Sequence, residues 1–224
     1  MILGIDTSLG TAVAVVEADG LVRAEASSGN PLGHAEAIGT LLRTVLSDAA
    51  YGPIGSTAGP VPAEIAYVAS GMGPGPFTGL RVGIAAARAF ALGRGIPVIP
   101  VPSHDAVALA LLIDQALADT PPARFAVVTD ARRKEYAFTV YEGLDDDGLP
   151  VRVTQPALAP RGALDAVLAG LGAVRRDAAS IPAAMLALVA ARALAAGREV
   201  GSNEPLYLRA PDVTMPAGPK KVTA

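Results

Sequence analysis

The stretch Gly71 to Leu92, GMGPGPFTGLRVGIAAARAFAL, constrains this chain more than any other. Four glycines and two prolines fall within its first nine residues. Gly71, Gly73 and Gly75 admit backbone conformations that a Cβ forbids. Pro76 suits a first helical residue, a position with no use for an amide hydrogen. From Thr78 the pattern predicts a helix in which Leu80, Val82, Ile84, Ala85, Phe90 and Leu92 alternate with Gly83, Ala86, Ala87 and Ala89. Only Arg81 and Arg88 are charged, and their spacing puts them on one face. A helix apolar nearly all round is covered on more than one side. It is either a buried core helix behind a glycine turn, or a helix half in the core and half in a partner.

The chain is long enough for such a helix to be buried. Its 224 residues are 51% hydrophobic and 17% charged, with mean hydropathy +0.42, which describes one large globular domain or two small ones. Alanine supplies much of that hydropathy, and no apolar run clear of Gly, Pro or Arg reaches the length of a membrane span. MILGIDTSLG has no basic region ahead of its apolar residues and is not expected to be a signal peptide. Without cysteine there is no disulfide, thiolate chemistry or Cys-type zinc site. The net charge of −3 gives no general attraction to nucleic acid. The basic clusters are Arg132, Arg133 and Lys134, and the tail pair Lys220 and Lys221.

In chain order, Ile2 to Thr7, Thr11 to Glu17 and Leu21 to Ser27 read as a three-strand meander with a turn at Asp19-Gly20. Gly33 to Ala50 has Ile38, Leu41, Leu42, Val45 and Leu46 at helical spacing. A Gly/Pro loop (Tyr51 to Pro62), a strand (Glu64 to Ser70), the glycine-rich helix and a strand at Ile96 to Val101 follow. His104 to Ala118 is the next predicted helix. Arg124 to Thr129, Glu135 to Tyr141 and Val151 to Thr154 are strands, and Arg161 to Leu168 and Ile181 to Ala196 are helices. The tail from Gly201 to Ala224 is extended, packed along the surface and frayed at its end.

The two halves share an order: strand, Asp, tight loop, strand, turn, strand, helix. Asp6 in the first matches Asp130 in the second. That order resembles the fold of actin, sugar kinases and heat-shock chaperones, in which two such halves clamp a nucleotide. The fold expected is therefore α/β, with two actin-like (ribonuclease H-like) halves built on mixed sheets. The halves span residues 1–103 and 104–200, followed by a tail over 201–224. Only AGLGAVRRDAAS lies between Leu168 and Ile181, so the second half is expected to be reduced and its sheet to have fewer strands.

GPGPFTGLRVGIAAARAFA also resembles the signature of the bacterial TsaB (YeaZ) family, which has Ser where this chain has Pro76. Asp130-Ala131-Arg132 followed by Glu135 resembles a second motif, although Lys134 stands where the family usually has Gly. Asn203 to Arg209 (NEPLYLR) resembles its closing motif. The resemblance implies a cytoplasmic, non-catalytic subunit in forming threonylcarbamoyladenosine in tRNA beside the anticodon. It would bind and support the transferase TsaD through its two N-terminal helices, with the ATPase TsaE as third partner, tRNA contacted only indirectly and a homodimer possible in isolation. It implies no cofactor and no membrane association.

Two rivals stay open: a small ATP-using phosphotransferase or carbamoyltransferase, and a homodimeric binding module without a tRNA role. Asp6, Thr7 and Ser8, with Asp130, resemble the superfamily's phosphate loops. There a carboxylate holds hydrated Mg²⁺ and small residues offer N–H groups to phosphate. Each aspartate equally suits a turn closed on its own backbone, and the cations at 132–134 suit either a solvated turn or an anion or RNA contact. TsaD holds its metal with two histidines at i and i+4; here the pair is His34 and Ile38, which cannot ligate, so no metal site is expected. His34 is read as an exposed first-turn residue. The expected partner-binding residues are His34, Ile38, Leu41, Val45, Phe77, Arg81, Ala85, Arg88 and Leu92, with Ile38 facing outward. Tyr207 and Leu208 are expected to pin the tail.

Overall fold

The computed structural model describes residues 1–30, 33–50, 64–119 and 123–209. Strands β1 (Ile2–Asp6), β2 (Thr11–Val16) and β3 (Val22–Ser28) make the antiparallel meander, and Gly20 takes φ 95° in the turn before β3. Helix α1 (His34–Ala50), β4 (Tyr67–Gly71), α2 (Phe77–Arg94) and β5 (Val98–Val101) follow. The sheet order is β3-β2-β1-β4-β5, with β4 parallel to β1 and β5 parallel to β4. Gly95 ends α2 at φ 66°, a left-handed cap that returns its N–H to the last carbonyls.

The second half runs α3 (Ser103–Leu117), β6 (Phe125–Asp130), β7 (Glu135–Leu144), β8 (Pro150–Arg152), β9 (Ala157–Pro160), α4 (Leu164–Gly170), β10 (Val174–Asp177) and α5 (Ala183–Ala195). Its sheet has the order β10-β6-β7-β8, and β9 also pairs with β7. β10 lies parallel to β6, and the other pairs are antiparallel.

Strand alternation sorts the core into layers. Leu3, Ile5, Val13 and Val15 meet Ile38, Val45 and Ala49 of α1 and Ala87 and Ala91 of α2 on one face of the first sheet. Ile2, Ala12, Ala14 and Val16 point the other way. They share a core with α3, α5 and the inner residues Phe125, Val127 and Tyr141 of the second sheet. Ala126, Val128, Phe138 and Val140 pack on Leu164 and Leu168 of α4. Helices α3 and α5 thus lie between two sheets. Gly4 makes this close: a Cβ there would sit 2.4 Å from the Ala183 carbonyl oxygen.

The buried His104, Asp105 and Tyr141 of this central layer are paired. The Asp105 carboxylate is buried, forms an ion pair with Arg152 and accepts the Tyr141 hydroxyl at 2.8 Å. His104 lies between the hydroxyls of Thr139 at 2.9 Å and Thr129 at 3.0 Å. Burial pushes its imidazole down to about 3, so it is neutral at pH 7.

Two mixed sheets are present as expected, but the second is not the smaller: each has five strands. Strand β9 was unforeseen, and β10 runs four residues from Val174, where the sequence allows a strand of two or three at most. Reduction falls instead on the outer helical layer, where α4 has 7 residues against 17 in α1 and 18 in α2. Helix α5, second-half by sequence, packs on Ile2, Ala14 and Val16 of the first. The loop read over Tyr51 to Pro62 and the tail beyond Arg209, with Lys220 and Lys221, lie outside the described residues. No described helix is long and apolar enough to cross a membrane.

Candidate functional site

Both aspartates stand where expected, at the ends of β1 and β6. Asp6 is 1% exposed. Its Oδ1 accepts the Ser8 amide at 2.7 Å and the Ser8 hydroxyl at 2.6 Å, and its Oδ2 accepts the Ser103 hydroxyl. Burial raises its pKa above the ordinary value, and these donors oppose that rise. Thr7 Oγ1 donates to the Gly79 carbonyl at 2.7 Å and accepts the Gly83 amide at 2.9 Å. Thr7 has therefore spent its hydroxyl on helix α2, and Asp6 has spent its carboxylate on Ser8 and Ser103.

The glycines of that segment are small because the loop is against them. A Cβ on Gly71 would sit 1.8 Å from Asp6 Oδ2, and one on Gly83 would sit 2.2 Å from Thr7 Oγ1. The space that hydrated Mg²⁺ and phosphate would need beside Asp6 is occupied by the protein itself. Ser103 had no signal in the sequence as a partner of Asp6: it is one more serine after a proline.

The Asp130 loop is open. Its Oδ1 accepts the Arg132 amide at 2.8 Å and its Oδ2 pairs with Arg161 at 2.8 Å, with the carboxylate side chain 55% exposed. The Arg132 amide first, with burial opposing it and Arg161 adding to it, holds its pKa below the ordinary value. Arg132, Arg133 and Lys134 take φ of 63°, 50° and 63°, a left-handed run that disfavours residues with a Cβ. The glycine usual at the position of Lys134 in the related motif fits that φ. Nearby, the Tyr136 ring lies under the guanidinium groups of Arg175 at 4.5 Å and Arg161 at 5.1 Å.

A cavity of about 420 Å³ opens between the halves. One wall is Pro74 to Gly79 with His34, another is Thr129 to Arg133, and Tyr207 to Arg209 cover a third side. The Tyr207 ring packs on Phe77 at 4.6 Å between centroids and joins Met72, Leu80 and Ile84 in a small core. The Leu206 amide donates to the Met72 carbonyl at 2.8 Å, and Arg209 pairs with Glu135 of the second half. The segment is thus pinned through Tyr207, as its sequence suggested.

The expected partner face needs correction on α1. Ile38 is 8% exposed and Val45 is fully buried, both in the core under the first sheet. Ile38 therefore faces inward. His34 is also buried, at 8%, with Nδ1 2.9 Å from Thr11 Oγ1. The outward face of α1 is polar, with Glu36, Thr40, Arg43, Thr44, Ser47 and Asp48, while Leu41 is half-buried. On α2, Arg81, Ala85, Arg88 and Leu92 are exposed along one stripe, and Phe77 is half-buried beneath the Arg81 guanidinium at 3.8 Å. Among the described residues no cluster of three His, Asp or Glu side chains is placed to hold a metal.

Two mixed sheets enclosing a helical layer, with an aspartate turn after the leading strand of each, define an actin-like two-lobed protein. The model of the TsaD family, tRNA N6-adenosine threonylcarbamoyltransferase, matches residues 32–157. An uncharacterised protein of Mycobacterium tuberculosis is 36% identical over 220 residues, covering 94% of this chain and 92% of that one. One from Mycobacterium leprae is 44% identical over 95 residues, 42% of this chain and 22% of that protein. YeaZ from Pseudomonas aeruginosa superposes with TM-score 0.68 at 24% identity, over 92% of this chain and 99% of that one. A second Pseudomonas aeruginosa structure, an uncharacterised protein with similarity to peptidase YEAZ, gives 0.65 at 25% identity over 93% and 99%. The chain belongs to the family that the threonylcarbamoyltransferase model describes, in its YeaZ (TsaB) branch.

Proposed function

We propose that this chain is a non-catalytic subunit of the cytoplasmic machinery that forms threonylcarbamoyladenosine in tRNA, and that it binds and supports TsaD. TsaE is the further partner in this reading, and tRNA is contacted only through the assembly. The observation that carries it is the stripe Arg81, Ala85, Arg88 and Leu92 on α2. Leu92 is 85% exposed, an apolar side chain with no core role. The first phosphate-type loop supports the non-catalytic part, because Asp6, Thr7 and Ser8 are committed to bonds within the chain.

The face is the exposed side of α2, and a standard specific interface takes roughly 800 Å² from each partner. Leu92→Asp is the direct test. The substitution leaves the core alone, so the melting temperature stays that of the parent. It places a carboxylate within the apolar part of the contact and weakens TsaD binding by about 2 kcal/mol, near thirtyfold. A titration of TsaD that reads the same affinity for parent and variant overturns the α2 face. Ile38→Asp does not serve this purpose, since it charges the core.

A further inference from the structure

The chain after α5 crosses the joint between the halves twice. In the second half, the Val200 carbonyl accepts the Arg152 guanidinium of β8 at 2.8 Å. Gly201 then lies against β5 of the first half, where a Cβ would sit 2.8 Å from the Pro100 carbonyl oxygen. The Asn203 carbonyl accepts Arg88 of α2 at 2.8 Å, the Leu206 amide donates to Met72, and the Tyr207 ring lies on Phe77. Two residues later Arg209 is back at the second half, paired with Glu135 where β7 begins. Pro205 keeps this run out of a helix, and the Tyr207 amide closes a tight turn on the Pro205 carbonyl at 2.8 Å.

The last two fastenings differ in kind. On the first half, Tyr207 packs against the buried Met72, Leu80 and Ile84, a contact with no charge for salt to screen. On the second half, the fastening is an ion pair whose Arg209 and Glu135 side chains are 32% and 30% exposed. Such a pair is weak, and salt weakens it further. Tyr207 and Arg209 line the cleft together with Thr129 to Arg133, so the pair spans its mouth. The central layer of α3 and α5 is shared by both sheets and is the fixed point about which that mouth can widen.

We propose that residues 200–209 are a strap across the cleft, held on the first half by Tyr207 and released from the second when the Arg209–Glu135 pair opens. Closed, it keeps the Asp130 loop against the glycine-rich segment. Open, it lets that loop swing away. The strap depends neither on the α2 face nor on TsaD.

The test is pulsed EPR on the whole chain with two spin labels, and the absence of cysteine lets them sit only where they are placed. Ala89→Cys on α2 and Ala166→Cys on α4 put one label on an exposed residue of each half. The labelled parent should give one narrow distance distribution. Arg209→Ala and Glu135→Ala should each shift it to longer distance by the same amount. Tyr207→Ala should do so from the other end. Combined with Arg209→Ala it should shift the distribution no further than the larger single change, because a strap cut at one end is already slack. Raising sodium chloride from about 0.1 M to about 1 M shortens the screening length from about 10 Å to about 3 Å. The parent should then move toward Arg209→Ala, and that variant should stay where it is. Arg209→Ala and Glu135→Ala remove only partly exposed side chains and keep the parent's melting temperature, so the result does not hang on whether Tyr207→Ala folds. The strap is overturned if both ion-pair variants keep the parent's distribution, or if high salt leaves the parent unmoved. It is equally overturned if the shifts at Tyr207 and Arg209 add, which makes them two separate contacts.

Discussion

The two aspartate loops begin alike and end in opposite environments. Each follows a strand, each closes an aspartate Oδ1 on the amide two residues later, at 2.7 Å for Asp6 and 2.8 Å for Asp130. Each reaches a left-handed residue four positions on, Gly10 at φ 79° and Lys134 at φ 63°. The aspartate turn and the left-handed fourth residue are shared, although Arg132 and Arg133 are left-handed as well and Ser8 and Leu9 are not; the neighbours also differ. Over Asp6 lies the glycine-rich segment and Ser103, and the carboxylate is sealed in. Over Asp130 lies the cleft, and the carboxylate faces solvent and Arg161. One loop has become part of the first half's core, and the other remains a surface that can meet something else.

The largest effect belongs to the seal. Gly71→Ala drives a methyl onto Asp6 Oδ2 and should cost about 3 kcal/mol in urea unfolding, the upper end for overpacking. Asp6→Ala leaves the Ser8 amide and two hydroxyls without their acceptor and costs about 2–3 kcal/mol. Together the two changes should cost less than their sum, by about 1–2 kcal/mol, because removing the carboxylate makes room for the methyl. Asp130→Ala should cost less than about 1 kcal/mol, as an exposed pair does. Equal losses at Asp6 and Asp130, or strict additivity at Gly71 and Asp6, would break the contrast between a sealed and an open loop.

Much of this was legible in the residues. The meander, the turn at Asp19-Gly20, the signature helix and both aspartates follow from alternation, glycine placement and helical spacing. The strand β10 was legible only in part, because Val174-Arg175-Arg176-Asp177 is held to β6 by backbone bonds and buries little side chain. Strand β9 is likewise short and bracketed by Pro156 and Pro160. On α1 the apolar stripe is real, but spacing alone does not say which margin meets the sheet. Ile38 and Val45 were assigned to the wrong side, whereas the surplus on α2 includes the exposed Leu92. The burial of His34 and the role of Ser103 depend on contacts between segments far apart in sequence, which no local pattern encodes.

The pH behaviour of the loops should also diverge. Asp130 is held below the ordinary 3.8, first by the Arg132 amide and then by Arg161. A depressed carboxylate contributes stability above 3.8 that is lost as pH falls through its lower folded value. Asp6 is raised above 3.8 by burial, so its contribution runs the other way: it favours the fold at low pH and loses ground as pH climbs from 3.8 through the folded value. Carboxyl-carbon NMR should place the Asp6 midpoint above 3.8 and the Asp130 midpoint below it. A shared midpoint would mean that Asp6 is as well solvated as Asp130.

The smallest effect tests the backbone likeness itself. If Gly10 and Lys134 fill the same place, glycine should suit both. At Lys134 the left-handed φ costs a residue with a Cβ about 1–2 kcal/mol, and glycine gives back part of that gain through its freer unfolded chain. Lys134→Gly should therefore stabilise the protein by about 0.5–1 kcal/mol, a rise of about 2 °C in melting temperature for a chain of this length. Lys134→Ala is the control: it removes the same charge, keeps the Cβ, and should gain nothing. A gain in both variants would assign the cost to crowding among the cations at 132–134 instead of to φ. A loss in both would mean that the lysine side chain holds the loop, and that the second loop is fastened by charge where the first is fastened by glycine.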